Sequence, residues 1–162
     1  MRRLFPLLAV LSFSAAMAAC GITDTNPPPA VDILHTQFAS SLGVNPSTMK
    51  VDPYGVFSRE DAVGTGDSAT TGTTVYVEYI GWLPDGTQFD ASPQGTPLAF
   101  IIGDQGVIPG FQIGVLGMQA GGTRTIIVPS PLAYGNSTLK TGSTTIPPNS
   151  NLVFRITLDS LK

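Results

Sequence analysis

Residues 73–86 read TTVYVEYIGWLPDG, and the fold class follows from the alternation in this stretch. Val75, Val77 and Tyr79 fall on one face of an extended chain, with Tyr76, Glu78 and Ile80 on the other. Pro84-Asp85-Gly86 then makes a tight turn, because proline presets φ and glycine accepts a positive one. Working outward, Leu98, Phe100 and Ile102 alternate again. So do Leu152, Phe154, Ile156 and Leu158, with Arg155, Thr157 and Asp159 opposite them. A strand with one apolar and one polar face belongs to an antiparallel sheet with one side in water. This strand pattern begins at about Thr48. Within it only Phe111 to Met118, just after Pro109-Gly110, offers a helical stretch. The expected architecture is α+β, a twisted antiparallel sheet covering one short helix.

The N-terminal residues carry a different kind of signal. Arg2 and Arg3, the apolar run Leu4 to Phe13, and the small residues Ser14 to Ala19 make an export signal over residues 1–19. It is too short to remain as a spanning helix. Met17-Ala18-Ala19-Cys20 resembles the lipobox of bacterial lipoproteins, with Met17 where leucine is usual. Lipidation of Cys20 would anchor the chain to a membrane; the competing reading is cleavage after Ala16-Met17-Ala18, giving an unlipidated product. The lipidated reading puts the chain in the cell envelope as a membrane-anchored protein facing the periplasm, and the competing one makes it a secreted product. Gly21 lacks the aspartate associated with inner-membrane retention. Residues 20–47 form a tether, with Pro27-Pro28-Pro29 as a semi-rigid spacer. Val31, Leu34, Phe38 and Leu42 recur at the spacing of a short amphipathic helix. The domain proper is expected over 48–162.

Composition removes several functions. Charged residues are 12% of the 162, about half the usual share. The formal charge of −3 supplies no basic surface for nucleic acid. Cys20 is the single cysteine, so no intrachain disulfide forms. His35 is the single histidine and reads as a solvated residue, which removes a Ser-His-Asp arrangement from the domain. HExxH and CxxC patterns are absent. Val63-Gly64-Thr65-Gly66 reads as a turn, since it lacks the lysine and spacing of a phosphate loop. The chemistry must need neither nucleophile nor metal.

The distinctive strings are aromatic and aliphatic. Tyr79-Ile80-Gly81-Trp82-Leu83-Pro84-Asp85-Gly86 leads into Phe89-Asp90-Ala91-Ser92. Gly106-Val107-Ile108-Pro109-Gly110-Phe111, Leu132-Ala133-Tyr134-Gly135, Ile146-Pro147-Pro148-Asn149 and Leu152-Val153-Phe154 follow. In this order and spacing, over about residues 55–162, the chain resembles the FKBP family of peptidyl-prolyl isomerases. The resemblance implies a half-barrel of five to six antiparallel strands wrapped on a short helix, with a pocket between them. It places Tyr79, Phe89, Asp90, Leu98, Val107, Ile108, Phe111, Tyr134, Ile146 and Phe154 at that pocket, with Phe111 as its floor. Phe111 stands where the family usually has tryptophan, and Leu98 where it often has phenylalanine. The loop from Asn136 to Thr145 is longer than in minimal members. Trp82 and Phe100 read as core packing.

Such a pocket has a physical route to catalysis. Amide resonance sets a rotation barrier of ~18–20 kcal/mol, and X-Pro exchange takes tens to hundreds of seconds unaided. The twisted transition state has lost double-bond character and charge separation, so an apolar cavity favours it over the planar ground state. The resemblance gives the Ile108 N–H and the Tyr134 hydroxyl the role of holding substrate carbonyls. It gives Asp90, bonded to Tyr79, the role of shaping the field at the rim. Expected partners are proline-containing polypeptides and FK506-like macrolides. The alternative is a peptide-binding module of the same shape with little turnover. Oligomeric state is not legible in the sequence.

Overall fold

Val75 and Val77 have no exposed surface, and the strand that carries them is the centre of the molecule. The computed structural model describes residues 31–162. The expected export signal, Cys20 and the expected proline spacer lie outside them. The strands are β1 (Lys50–Val51), β2 (Phe57–Ala62), β3 (Thr74–Trp82), β4 (Gln88–Ala91), β5 (Leu98–Ile101), β6 (Thr123–Val128), β7 (Leu139–Thr141), β8 (Thr144–Ile146) and β9 (Leu152–Leu161). One helix, α1 (Pro109–Val115), interrupts them. Seven strands form one sheet in the order β1-β2-β6-β9-β3-β4, with β5 also on β3. Every pairing is antiparallel.

The main sheet thus holds more strands than the five to six expected. Two-residue β1 adds an edge, and the free side of β3 is shared by two short strands. Its first half pairs with β5 (Val75 opposite Phe100) and its second half with β4 (Gly81 opposite Asp90). Between them, at Tyr79, Ser92 replaces the missing strand partner. Its Oγ accepts from the Tyr79 amide at 3.0 Å and its own amide donates to the Tyr79 carbonyl at 3.0 Å. The sheet opens there without stranding a buried amide.

Helix α1 begins at Pro109, whose fixed φ suits a first helical position. It lies on β6 through Gly110 and Gly114. A Cβ at Gly110 would stand 2.2 Å from Val128 Cγ1 and 3.2 Å from the Leu132 carbonyl oxygen. Only a residue without a side chain lets the helix approach this closely. The core beneath it includes Val115, Met118, Ile126, Val128, Leu152, Ile156 and Leu158.

Residues 31–49 do not form the amphipathic helix that their spacing suggests. They make three single 3₁₀ turns, Ile33–His35, Ser40–Leu42 and Pro46–Thr48. Asp32 and Asn45 side chains cap the first and third, and Gly43 in a left-handed conformation ends the second. The backbone finds partners in the domain instead of within a helix. The Ala39 amide donates to the Pro84 carbonyl at 2.8 Å, and Asn151 Nδ2 donates to the Val31 carbonyl at 2.7 Å and Thr36 Oγ1 at 2.8 Å. The arm covers the outer face of the sheet, where Ile33 and Met49 join Phe57, Ile127 and Val153 in a second apolar cluster. Packing therefore starts at the arm, ahead of the boundary expected at 48. It also explains why Leu152, Val153 and Phe154 are buried in succession, although an alternating strand was expected. His35 stays exposed, 3.4 Å from Asp32.

Candidate active site

The split along β3 and the N-terminus of α1 frame a cleft of about 260 Å³. Tyr79, Asp90, Leu98, Gly106, Val107, Ile108, Phe111, Tyr134 and Phe154 line it. Each arrives for a local reason. Tyr79 sits at the strand switch, and Asp90 follows on β4. Leu98 begins β5. Ile108 caps α1, and Phe111 is in its first turn. Tyr134 follows the 3₁₀ turn Ser130–Leu132, whose Ser130 carbonyl receives the amides of Ala133 at 3.0 Å and Gly135 at 2.9 Å.

Phe111 is 2% exposed and central to a set of rings meeting edge to face. Its centroid is 5.2 Å from Phe154, 5.4 Å from Tyr79 and 6.0 Å from Phe100. Such contacts hold aromatic side chains in one arrangement, at about 0.5–1.5 kcal/mol per pair beyond area burial. Phe100 braces the floor from behind and Trp82 packs toward the outer cluster, so neither lines the cleft. The polar groups lie at the rim. The Tyr79 hydroxyl donates to Asp90 Oδ2 at 2.7 Å, while Asp90 Oδ1 accepts from the Ala91 amide at 2.9 Å. Burial raises the Tyr79 hydroxyl far above the ordinary tyrosine value, and the bond to Asp90 adds to this. Tyr134 is also raised, first by burial and then by the Asp90 charge. Both phenols remain protonated donors at neutral pH. The Ile108 amide donates to no group among the described residues and is available to a ligand carbonyl.

Phe89 and Ile146 are not in the lining. The reason lies in the loop from Asn136 to Thr145, which folds into the hairpin β7–β8 and docks on β4. Thr141 Oγ1 donates to the Phe89 carbonyl at 2.8 Å and Thr144 Oγ1 to the Gln88 carbonyl at 3.3 Å. Phe89 is turned inward and packs its ring against Phe154 at 5.6 Å. Ile146, 1% exposed, joins the same core. Both buttress the wall from behind.

One residue with a large part in the geometry has no signature in the sequence. Gln112, on α1, reaches back over the preceding loop. Its Oε1 accepts from the Gly103 amide at 2.7 Å; its Nε2 donates to the carbonyls of Asp104 at 2.8 Å and Val107 at 3.0 Å. These bonds hold Val107 and Ile108 in place. A helical glutamine between Phe111 and Ile113 gives no hint of this, because the partners are backbone groups.

A larger hollow of about 690 Å³ lies on the outer face, beside the arm. Its charges are engaged with one another. Asp61 accepts from Arg59 Nε at 2.8 Å and Thr125 Oγ1 at 2.6 Å, and Glu60 pairs with Arg124. No group of three or more metal-ligating side chains occurs among the described residues. None of their helices is long and apolar enough to cross a membrane.

Comparison with known proteins points the same way. The model for the FKBP-type peptidyl-prolyl cis-trans isomerase family matches residues 66–159. FK506-binding protein 4 of Neurospora crassa is 43% identical over 116 residues, 72% of this chain and 24% of that protein. A peptidyl-prolyl cis-trans isomerase of Saccharomyces cerevisiae is 42% identical over 113 residues, 70% of this chain and 26% of the relative. The chain thus spans about a quarter of the length of these curated relatives. Among solved structures, a peptidyl-prolyl cis-trans isomerase from Pseudomonas syringae pv. tomato superposes with a TM-score of 0.63 at 31% identity, covering 76% of this chain and 86% of that one. With the family match running through the strands and helix that frame the cleft, this chain belongs to the FKBP-type peptidyl-prolyl cis-trans isomerases.

Proposed function

We propose that the chain catalyses cis–trans isomerisation of X-Pro peptide bonds in exported polypeptides, without a covalent step or cofactor. The observation that carries this is a ring-walled apolar cleft with three polar groups at its edge: Asp90, the Tyr134 hydroxyl and the Ile108 amide. The prolyl ring enters over Phe111, between Val107, Leu98 and Phe154. The Ile108 N–H and Tyr134 O–H hold carbonyls on the substrate, fixing the chain around the bond that rotates. The apolar walls favour the twisted amide, whose charge separation is reduced, over the planar one. Tyr79 holds Asp90 at the rim, where its charge acts on the rotating carbonyl. The same walls suit an FK506-like macrolide. Phe111 and Leu98 offer less aromatic surface than tryptophan and phenylalanine would, which bears on both macrolide binding and turnover.

The test is exchange on short X-Pro peptides by the purified protein, beside a Tyr134→Phe, Asp90→Val variant. Acceleration that the variant loses supports the reading. A folded protein that binds these peptides without accelerating exchange would instead be a binding module. The export reading rests on Arg2, Arg3, the apolar run and Cys20, with Cys20 as lipid acceptor and residues 21–30 as spacer. It predicts that Cys20→Ser moves the protein from the membrane fraction to the soluble envelope fraction; an unchanged distribution rejects the anchor.

A further inference from the structure

Behind the loop that walls the cleft lies a second groove, of about 600 Å³. Gly106 and Val107 line both, so the two hollows are separated by a single stretch of backbone. We propose that this groove is a subsite for a large apolar side chain on the same polypeptide whose proline occupies the cleft. The proposal deepens the isomerase reading and rests on it for the position of the proline.

The occupant follows from the lining. Ile102, Val107, Pro109 and Ile113 make an apolar trough. Its lip carries two large apolar residues left in water, Tyr54 at 71% and Leu116 at 45% exposed. Asp104 is the one charged residue among the described lining residues, so an acidic partner is disfavoured. Aromatic and aliphatic side chains held in a fixed frame are what an apolar anchor needs. This frame is fixed on both sides. Gln112 clamps the Gly103–Val107 loop through its three hydrogen bonds. Tyr54 stands on a turn whose Asp52 Oδ1 accepts from the Tyr54 amide at 2.9 Å and the Val56 amide at 2.8 Å. Little ordering is left for the ligand to impose. Because the hollows share the Gly106–Val107 wall, and an extended chain advances roughly 3.3–3.6 Å per residue, the anchor falls within a few positions of the proline. Large apolar side chains are mostly buried once a chain has folded, so such a subsite gives the enzyme a preference for chains that have not yet buried them.

The experiment compares fluorescently labelled peptides of equal length, each with one X-Pro bond, with leucine or serine scanned two to four positions to either side. Binding is read by anisotropy and turnover by prolyl exchange, for the wild-type protein and a Tyr54→Ser, Leu116→Asp variant. These exposed positions lie outside the cleft. The wild type is expected to bind the best leucine peptide about 10-fold more tightly than its serine counterpart, on the order of 1.4 kcal/mol. The variant is expected to lose that advantage while exchanging the serine peptide at the wild-type rate. No leucine advantage at any position, or one that survives the variant, overturns the subsite. Failure to exchange the serine peptide is a separate result that rejects the isomerase reading, and the anisotropy ratio still decides the groove.

Discussion

Replacing Gly110 with alanine tests whether close seating of α1 on β6 builds the cleft. The added Cβ would stand 2.2 Å from Val128 Cγ1 and 3.2 Å from both the Cβ and the carbonyl oxygen of Leu132. Carbon atoms in contact prefer about 3.5–4.0 Å, so the first overlap is severe. Val128 is fully buried and β-branched, with little rotamer freedom, and Leu132 presents backbone. The first turn of the helix must therefore lift. Overpacking of this kind costs about 1–3 kcal/mol, and this site belongs at the upper end. Alanine returns about 1 kcal/mol of helix propensity over glycine. The net loss is about 2 kcal/mol, or roughly 4–12 °C in Tm for a domain of this size. Lifting the turn also displaces Ile108 and Phe111, and a shift of about 1 Å can cost on the order of 100-fold in rate. Gly114→Ala is the comparison. Its Cβ meets Ile126 Cδ1 at 2.4 Å and Cγ2 at 3.1 Å; the closer atom is the far end of a side chain with one more torsion than valine, so the loss there is smaller. Thermal melts and kcat/KM on an X-Pro peptide decide the matter. A Gly110→Ala protein that melts at or above the wild type, or that loses stability with kcat/KM unchanged, refutes the argument.

Other outcomes follow from single contacts. Tyr79→Phe frees Asp90 from its 2.7 Å bond at a half-open rim, and kcat/KM should fall roughly 2- to 10-fold with the melting curve nearly unchanged; an unaltered rate would leave the pair without a catalytic part. Asn151→Ala removes two donors to the arm and the acceptor of the buried Ser130 amide at 3.1 Å. The expected cost is about 2–4 kcal/mol in denaturant unfolding, with faster amide exchange over residues 31–36, and a loss below about 1 kcal/mol would count against the clasp. Tyr79 and Tyr134 have folded-state values raised above the unfolded one, so the stability they contribute is intact below about pH 10 and falls as pH rises through the folded values. Alkaline unfolding of Tyr79→Phe should therefore be less steep than that of the wild type, and identical curves would exclude Tyr79 as its source.

Much of the molecule could be read along the chain because it depends on local pattern. Alternation at Val75, Val77 and Leu152 to Leu158 announces strands, Pro109-Gly110 announces the start of a helix, and Pro84-Asp85-Gly86 announces a turn. The family's ordered strings carried the residues of the cleft, and most of those named line it. Phe89 and Ile146 did not, because whether an aromatic or aliphatic side chain faces a cavity or braces its wall depends on the hairpin that docks behind it. The arm at 31–49 misled for a related reason. Helical spacing at Val31, Leu34, Phe38 and Leu42 is a statement about one segment, whereas the hydrogen bonds that won come from Pro84 and Asn151, far away in sequence.

By itself the sequence determined the α+β class, the strands at Thr74–Trp82, Leu98–Ile101 and Leu152–Leu161, the helix that starts at Pro109, and the family. All of these are written in residue types at short spacing, where side-chain periodicity and turn stereochemistry act. Only the tertiary structure decided that β4 and β5 divide one edge of β3, that Gln112 sets the loop over the cleft, and that a second groove shares its wall. Those features come from backbone groups and packed surfaces brought together across the chain, and neither carries a residue signature that composition or spacing can reveal.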